Sequence, residues 1–347
     1  MNPYVLTILL IGMGSGTMIT FMSSHWLLAW MGLEINTMSI LPLMAQQHHP
    51  RAIEATTKYF LTQATAAAML LFASMTNAWM TGQWAILEMA HPVPTTMALL
   101  ALALKIGLAP MHSWLPEVLQ GLNLTTGLII STWQKLAPFA LLLQMQPASP
   151  AITTILAILS ILAGGWGGMN QTQLRKILAY SSIAHLGWML LILQYSPSLT
   201  TLALITYIIM TSSAFLLFEL TASTNINSLA LSWAKKPVLT CLTPLVLLSL
   251  GGLPPLTGFL PKWLILQELT KQGLPILATL IALTALLNLY FYLRLTYALT
   301  LTISPNIPIG HVPWRTPSKR FTMIMSSTSA LSTLLLPISP AATVIMT

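Results

Sequence analysis

The stretch Lys105-Ile-Gly-Leu-Ala-Pro-Met-His-Ser-Trp-Leu-Pro-Glu117 has a counterpart later in the chain, Gly251-Gly-Leu-Pro-Pro-Leu-Thr-Gly-Phe-Leu-Pro-Lys262. A shift of 145 positions lays Gly107, Leu108, Pro110, Leu115 and Pro116 on Gly252, Leu253, Pro255, Leu260 and Pro261. Trp114 then falls on Phe259, and Glu117 on Lys262. Each stretch interrupts a long apolar segment with Gly and Pro, the residues that break helices. Each also carries a Lys where the surroundings are otherwise lipid-like. Paired Gly/Pro-interrupted segments in the two halves of a membrane protein point to a transport site.

The composition around these stretches fixes the class. Of 347 residues, 55% are hydrophobic and 6% are charged, whereas a soluble domain is about 25% charged. The chain reads as an all-α, polytopic membrane protein. Cys241 is the single cysteine, so no intrachain disulfide can form. Neither a Gly-x-Gly-x-x-Gly nor a Walker-type phosphate loop occurs, and there is no aspartate. The net charge of +8 does not indicate nucleic acid, because the basic residues sit in short loops between apolar runs. The first apolar run, residues 3–22, is too long for a signal-peptide core and lacks a charged leader. It is expected to stay as a spanning helix.

Apolar runs near 20 residues fit one bilayer crossing. They fall at 3–23, 26–45, 57–80, 93–121, 124–145, 150–169, 174–195, 199–222, 238–272, 275–300 and 322–345, about eleven crossings in a single membrane domain. The fourth and ninth are long because they contain the broken stretches. A polar loop with Pro305, Pro308, Pro313 and Pro317 separates the last two. On the N-terminal side the loops carry Arg51, Lys58, Arg175, Lys176, Lys235, Lys236, Arg315, Lys319 and Arg320; on the opposite side they carry only Lys271. The positive-inside rule therefore puts the N-terminus in the positive-inside compartment and the C-terminus across the membrane. Five crossings separate the two broken segments, so those segments run in opposite directions. That implies two inverted five-helix repeats, 1–145 and 150–300, each holding a broken helix, with 322–345 as a final helix outside them.

Four ionisable residues remain deep in apolar surroundings: Glu34, Lys105, Lys135 and Lys262. Each costs about 2.5–3.5 kcal/mol at a helix centre. A partner on the same helix would lie three or four residues away, and none of Glu34, Lys105 or Lys135 finds an opposite charge there. One acid against three lysines weakens a scheme of static ion pairs. Burial disfavours the charged form of an unpaired lysine, so these residues are expected to take and release protons. His112 and His185 are further relay candidates, since imidazole titrates nearest neutrality. For His185, in Ser181-Ser-Ile-Ala-His-Leu-Gly187, a histidine satisfied by a neighbouring hydroxyl is the competing reading. His25 reads as an interfacial anchor, and His48, His49 and His91 lie in loops. No two histidines share a helical face at i, i+4, so no metal site is expected.

At these residues a family resemblance emerges. Lys105-x-Gly-Leu-Ala-Pro-x-His-x-Trp-Leu-Pro-Glu117, followed by Trp133-Gln-Lys-Leu-Ala-Pro138, resembles the antiporter-like, proton-translocating subunits of respiratory complex I. Ser181-Ser-Ile-Ala-His-x-Gly187 and Gly251-Gly-Leu-Pro-Pro-x-x-Gly-Phe-x-x-Lys262 agree with it, as does the opening from Met1-Asn-Pro to Thr57-Lys-Tyr-Phe60. The resemblance implies that Glu34 and Lys105 are the charge pair of a first half-channel. It makes Lys135 the bridge to the centre and Lys262 the proton donor of a second half-channel, with His112 and His185 on the hydrated axis. It further implies a subunit of a redox enzyme coupling NADH:ubiquinone electron transfer to proton pumping, with the redox centres in other subunits and no cofactor bound by this chain. The expected partners are other membrane subunits and the lipid bilayer in a hetero-oligomer, with no nucleic acid. The expected location is the mitochondrial inner membrane, N-terminus in the matrix and C-terminus in the intermembrane space. Bacterial relatives have fourteen helices, of which this chain matches the last eleven. A stand-alone cation/proton antiporter shares the motifs and is the alternative. A structural membrane subunit whose lysines no longer move protons is the third reading.

Overall fold

A segment that crosses hydrocarbon must satisfy its backbone within itself, which leaves the helix as the available form. The computed structural model describes residues 2–45, 49–89, 91–145, 149–234, 236–301 and 322–338. Among them there is no β-strand, only two isolated bridges, His25 with Ala85 and Gln173 with Asn225. Seven described helical stretches, counting Leu124–Met145 as one, are long and apolar enough to cross a membrane. The chain divides into two compact units, Met1–Ser160 and Ile161–Thr347.

The first unit contains α1 (Pro3–Met22), α2 (Trp26–Met44), α3 (Pro50–Thr81), α4 (Pro92–Ile106), α5 (Trp114–Gly121), α6 (Leu124–Ser131) and α7 (Trp133–Met145). Prolines open α1, α3 and α4, where their missing N–H is lost without penalty. Histidines cap three helices: the Nδ1 atoms of His25, His49 and His91 accept from the backbone N–H of Leu27 (3.2 Å), Arg51 (3.2 Å) and Val93 (3.4 Å). His25 also stacks on Trp84 at 5.5 Å. The backbones of α1 and α2 approach through Gly16 and Gly32. A Cβ on Gly16 would lie 2.8 Å from the Gly32 carbonyl oxygen and 2.9 Å from the Asn36 nitrogen. Such small-residue crossings are how membrane helices approach closely.

α8 (Pro150–Met169) contains the boundary between the units. The second unit continues with α9 (Leu174–Ile192), α10 (Pro197–Thr221), α11 (Ile226–Ala230), α12 (Pro237–Gly251), α13 (Phe259–Lys271), α14 (Pro275–Leu301) and α15 (Thr322–Leu334). Local details of the first unit recur here. α4 ends in Gly107 at φ 88° and α12 in Gly252 at φ 80°, left-handed conformations that glycine adopts without a Cβ penalty. Trp26 N–H reaches the Trp84 carbonyl and Ile86 N–H that of Ser24; Leu174 and Ile226 reach Thr224 and Thr172 in the same pattern.

The helices fall on the segments read from the sequence, with three differences. α3 begins at Pro50 rather than near residue 57, because His49 and Pro50 cap and open a polar first turns' worth of helix bearing Arg51, Glu54 and Lys58. The segment 124–145 is broken at Thr132, whose φ and ψ are −113° and −69°. Ser131 and Thr132 both turn their hydroxyls onto the Leu128 carbonyl, at 3.0 and 2.7 Å, side-chain bonds of the kind that bend helices. The final segment, expected over 322–345, is helical over Thr322–Leu334; residues 339–345 lie outside the described residues. His48, Lys235, Arg315, Lys319, Arg320 and the loop prolines also lie outside them.

Candidate functional site

The end of α4 leaves its last carbonyls without helical partners, and side chains from neighbouring elements take them up. Gln63 on α3 donates its Nε2 to the Lys105 carbonyl at 3.3 Å. Trp114, opening α5, donates its Nε1 to the Leu104 carbonyl at 3.2 Å and sets its ring edge-on to Tyr59 at 5.8 Å. Lys105, in the last turn of α4, is 6% exposed, and its Nζ has no hydrogen-bond partner.

Glu34 on α2 is half-buried, and its carboxylate accepts from Thr37 Oγ1 at 3.4 Å. It makes no direct ion pair with Lys105. Its charge nevertheless acts on Lys105 and on Tyr59. Lys105, Lys135, Tyr59, Gln63, Asn36 and Gln134 line one cavity, which offers about 20 Å³ of space. A water molecule needs about 10–15 Å³ on that measure, so the cavity seats about one. Gln134 on α7 donates to Asn36 Oδ1 on α2 at 3.0 Å, fixing the wall beside Lys135. Lys135 itself is 3% exposed.

The other candidates sit elsewhere. His112 lies half-buried in the break between α4 and α5, its Nδ1 3.2 Å from the Pro110 carbonyl. In the second unit, His185 on α9 packs its ring 5.7 Å from that of Tyr207. Lys262 in the first turn of α13 is not fully buried, as the sequence led us to expect, but half-buried. The break after α12 frees the Gly251 carbonyl, and Lys262 folds back over Gly252 to donate its Nζ to it at 2.7 Å. Sequence reasoning passed over Tyr59, Asn36, Gln63 and Gln134. The available signal was polar side chains inside apolar helices, which face a protein interior rather than lipid. At the surface of the first unit, Lys58 bridges Glu54 (2.8 Å) and Glu117 (2.7 Å) beside Arg51 and Gln120. These groups are exposed, where ion pairs contribute little. Among the described residues no group of three or more His, Cys, Asp and Glu could hold a metal ion.

A family model for the NADH:quinone oxidoreductase/Mrp antiporter transmembrane region matches residues 23–288. A second, for the NADH dehydrogenase subunit 2 C-terminus, matches residues 289–343. The chain is 71% identical over 340 residues to NADH-ubiquinone oxidoreductase chain 2 of Tetraodon nigroviridis, covering 98% of both. It belongs to the NADH-ubiquinone oxidoreductase chain 2 family. The chain 2 protein of Salmo salar is 68% identical over 348 residues, covering 100% of both. The chain 2 fold is also that of a chain in the solved structure of respiratory complex I from Thermus thermophilus with bound aureothin. That match has a TM-score of 0.87 and 28% identity, and covers 98% of this chain and 79% of the other. A chain of the Mrp complex from Dietzia sp. shares the fold, with a TM-score of 0.78 at 16% identity.

Proposed function

We propose that the chain is a proton-translocating membrane subunit of respiratory complex I, an NADH:ubiquinone oxidoreductase, in the mitochondrial inner membrane. Chain 2 relatives at 62–71% identity support that reading. Electron transfer from NADH to ubiquinone belongs to other subunits, and this chain moves protons. Glu34, Lys105, Lys135 and Lys262 carry them, with His112 and His185 as further relay groups. The positive-inside count supports a matrix N-terminus and an intermembrane-space C-terminus. The inverted five-helix repeat remains our proposal, and the recurrence in each unit of a glycine-ended broken helix and of the same backbone bridge supports it.

One observation carries the reading: Lys105 is buried with no hydrogen-bond partner and shares a cavity with Lys135. A buried unpartnered ammonium is costly, and two lysines around one water seat favour having at most one of them charged. In this reading the Glu34 carboxylate, as an opposite charge in the same unit, favours the protonated form of Lys105. When that proton moves on toward Lys135, Glu34 loses its support, and the charge arrangement of the unit resets. Glu34→Gln removes this bias and leaves a side chain of nearly the same size. We expect the assembled Glu34→Gln complex to oxidise NADH while translocating protons several-fold more slowly, read as protons moved per NADH in sealed vesicles. Full pumping by that complex would sink the reading. The stand-alone antiporter has less support: it has a family model shared with Mrp antiporters and a likeness of fold to the Mrp chain, against full-length chain 2 relatives.

A further inference from the structure

In the second unit, two buried polar atoms on α14 lack hydrogen-bond partners: Asn288 Oδ1 and the Tyr292 hydroxyl. Asn288 is 5% exposed and Tyr292 is fully buried. They are four residues apart, so they stand one turn above the other on one face of the helix. An orphaned buried polar group costs the full price of its desolvation. Two such atoms one helical turn apart could share a buried water, which needs two or more polar partners.

Tyr292 also lies between two kinds of proton-bearing group. On one side its ring packs on Gly251: a Cβ built there would be 3.7 Å from Tyr292 Cδ2. The Gly251 carbonyl is the acceptor for Lys262 Nζ. On the other side the Tyr292 hydroxyl faces Ser181 on α9 without a formed hydrogen bond, the Ser181 hydroxyl being turned onto the Leu178 carbonyl, and it lies within electrostatic range of the Tyr207 hydroxyl on α10. Tyr207 in turn contacts Ser182 and packs against the His185 ring.

We propose that Asn288 and Tyr292 hold a water molecule between them, and that the Tyr292 hydroxyl relays protons between the Lys262 end of the broken helix and the hydroxyl cluster of Ser181 and Tyr207. The inference rests on the proton-carrying role of Lys262 proposed above. The step balances without a charged phenol. A proton from the water bonds to a lone pair of the Tyr292 oxygen while the original O–H bond breaks toward Ser181 or Tyr207, and the receiving hydroxyl gives up its own proton in the same step along the cluster, toward the neutral imidazole of His185 beside Tyr207. The phenol is neutral before and after, and the water is restored by a proton from the Lys262 side. Asn288 only accepts through Oδ1, so it is a positioning residue that aims the water.

The test uses the complete complex in sealed membranes, with protons moved per NADH oxidised as the readout. Tyr292→Phe deletes one oxygen and keeps the ring that packs on Gly251. We expect the ratio to fall about two-fold or more while NADH oxidation persists. Asn288→Leu should lower it likewise, whereas Asn288→Ser, which still offers the water an oxygen, should keep it. If Tyr292→Phe fails to assemble, the Leu and Ser variants at Asn288 decide the matter between them. A merely structural role predicts less assembled complex with an unchanged ratio, and that result overturns the proposal. Lys262→Met, run in parallel, separates the two layers. A lowered ratio there with an unchanged ratio in Tyr292→Phe defeats the relay alone, and an unchanged ratio in Lys262→Met defeats the reading on which it rests.

Discussion

Gly252 and Gly82 show how one residue type performs two jobs. Both sit in the left-handed region, at φ 80° and 74°. A Cβ on Gly82 would meet nothing within 4 Å, whereas a Cβ on Gly252 would lie 2.8 Å from Lys262 Nζ. Gly82→Ala should therefore cost about 1–2 kcal/mol of backbone strain and leave proton translocation intact. Gly252→Ala should carry the same strain and also push Lys262 off the Gly251 carbonyl, lowering proton translocation; thermal melts and flux on both variants check the contrast. At this scale the sequence was informative where chemistry is scarce. Glu34, Lys105 and Lys135 stand out because charge is rare in an apolar chain, and the structure draws the lysines to one cavity with the carboxylate's field on Lys105. The half-exposure of Lys262 was not legible, since it depends on a lysine folding back onto a carbonyl that the break frees. Tyr59, Gln134 and Tyr292 were missed for another reason: uncharged polar residues do not announce themselves until their neighbours are known.

The helices themselves were largely readable, because hydropathy and length govern where they run. Gly and Pro marked the breaks after α4 and α12 at the expected places. The break at Thr132 carried no such mark; two hydroxyls turned onto the Leu128 carbonyl accompany it. Close packing between elements is where sequence reading is weakest, and glycine contacts expose it. Gly16 on α1 faces the Gly32 carbonyl, and Gly164 on α8 faces the Tyr180 carbonyl of α9 at 2.7 Å from a built Cβ. Both contacts are with backbone, which cannot step aside. Gly16→Leu should force α1 from α2 and, as an overpacking change, cost about 1–3 kcal/mol or more. Native gels should then show loss of assembled complex, while Gly14→Leu, at a position with nothing within 4 Å, should assemble normally.

For the molecule as a whole, the electrical setting matters as much as the packing. A charge crossing the membrane gains about 2.3 kcal/mol per 100 mV, so any continuous file of water through such a protein would discharge the gradient it helps to build. The cavity shared by Lys105 and Lys135 is bounded by Ile130, Leu33 and Ile106 as well as by its polar residues. Ile130 is 2% exposed, and shortening it to Ala removes three carbons from that wall. Ile130→Ala should raise passive proton leak through membranes holding the complex without NADH, measured as faster decay of an imposed pH difference. Unchanged leak would mean that the narrowness of the cavity has no part in holding protons back. On the proposed relay, a space that seats about one water would be an insulator as well as a waypoint. It would interrupt conduction at rest, so that each passage would wait for a side chain to move and the membrane would keep its voltage between turnovers.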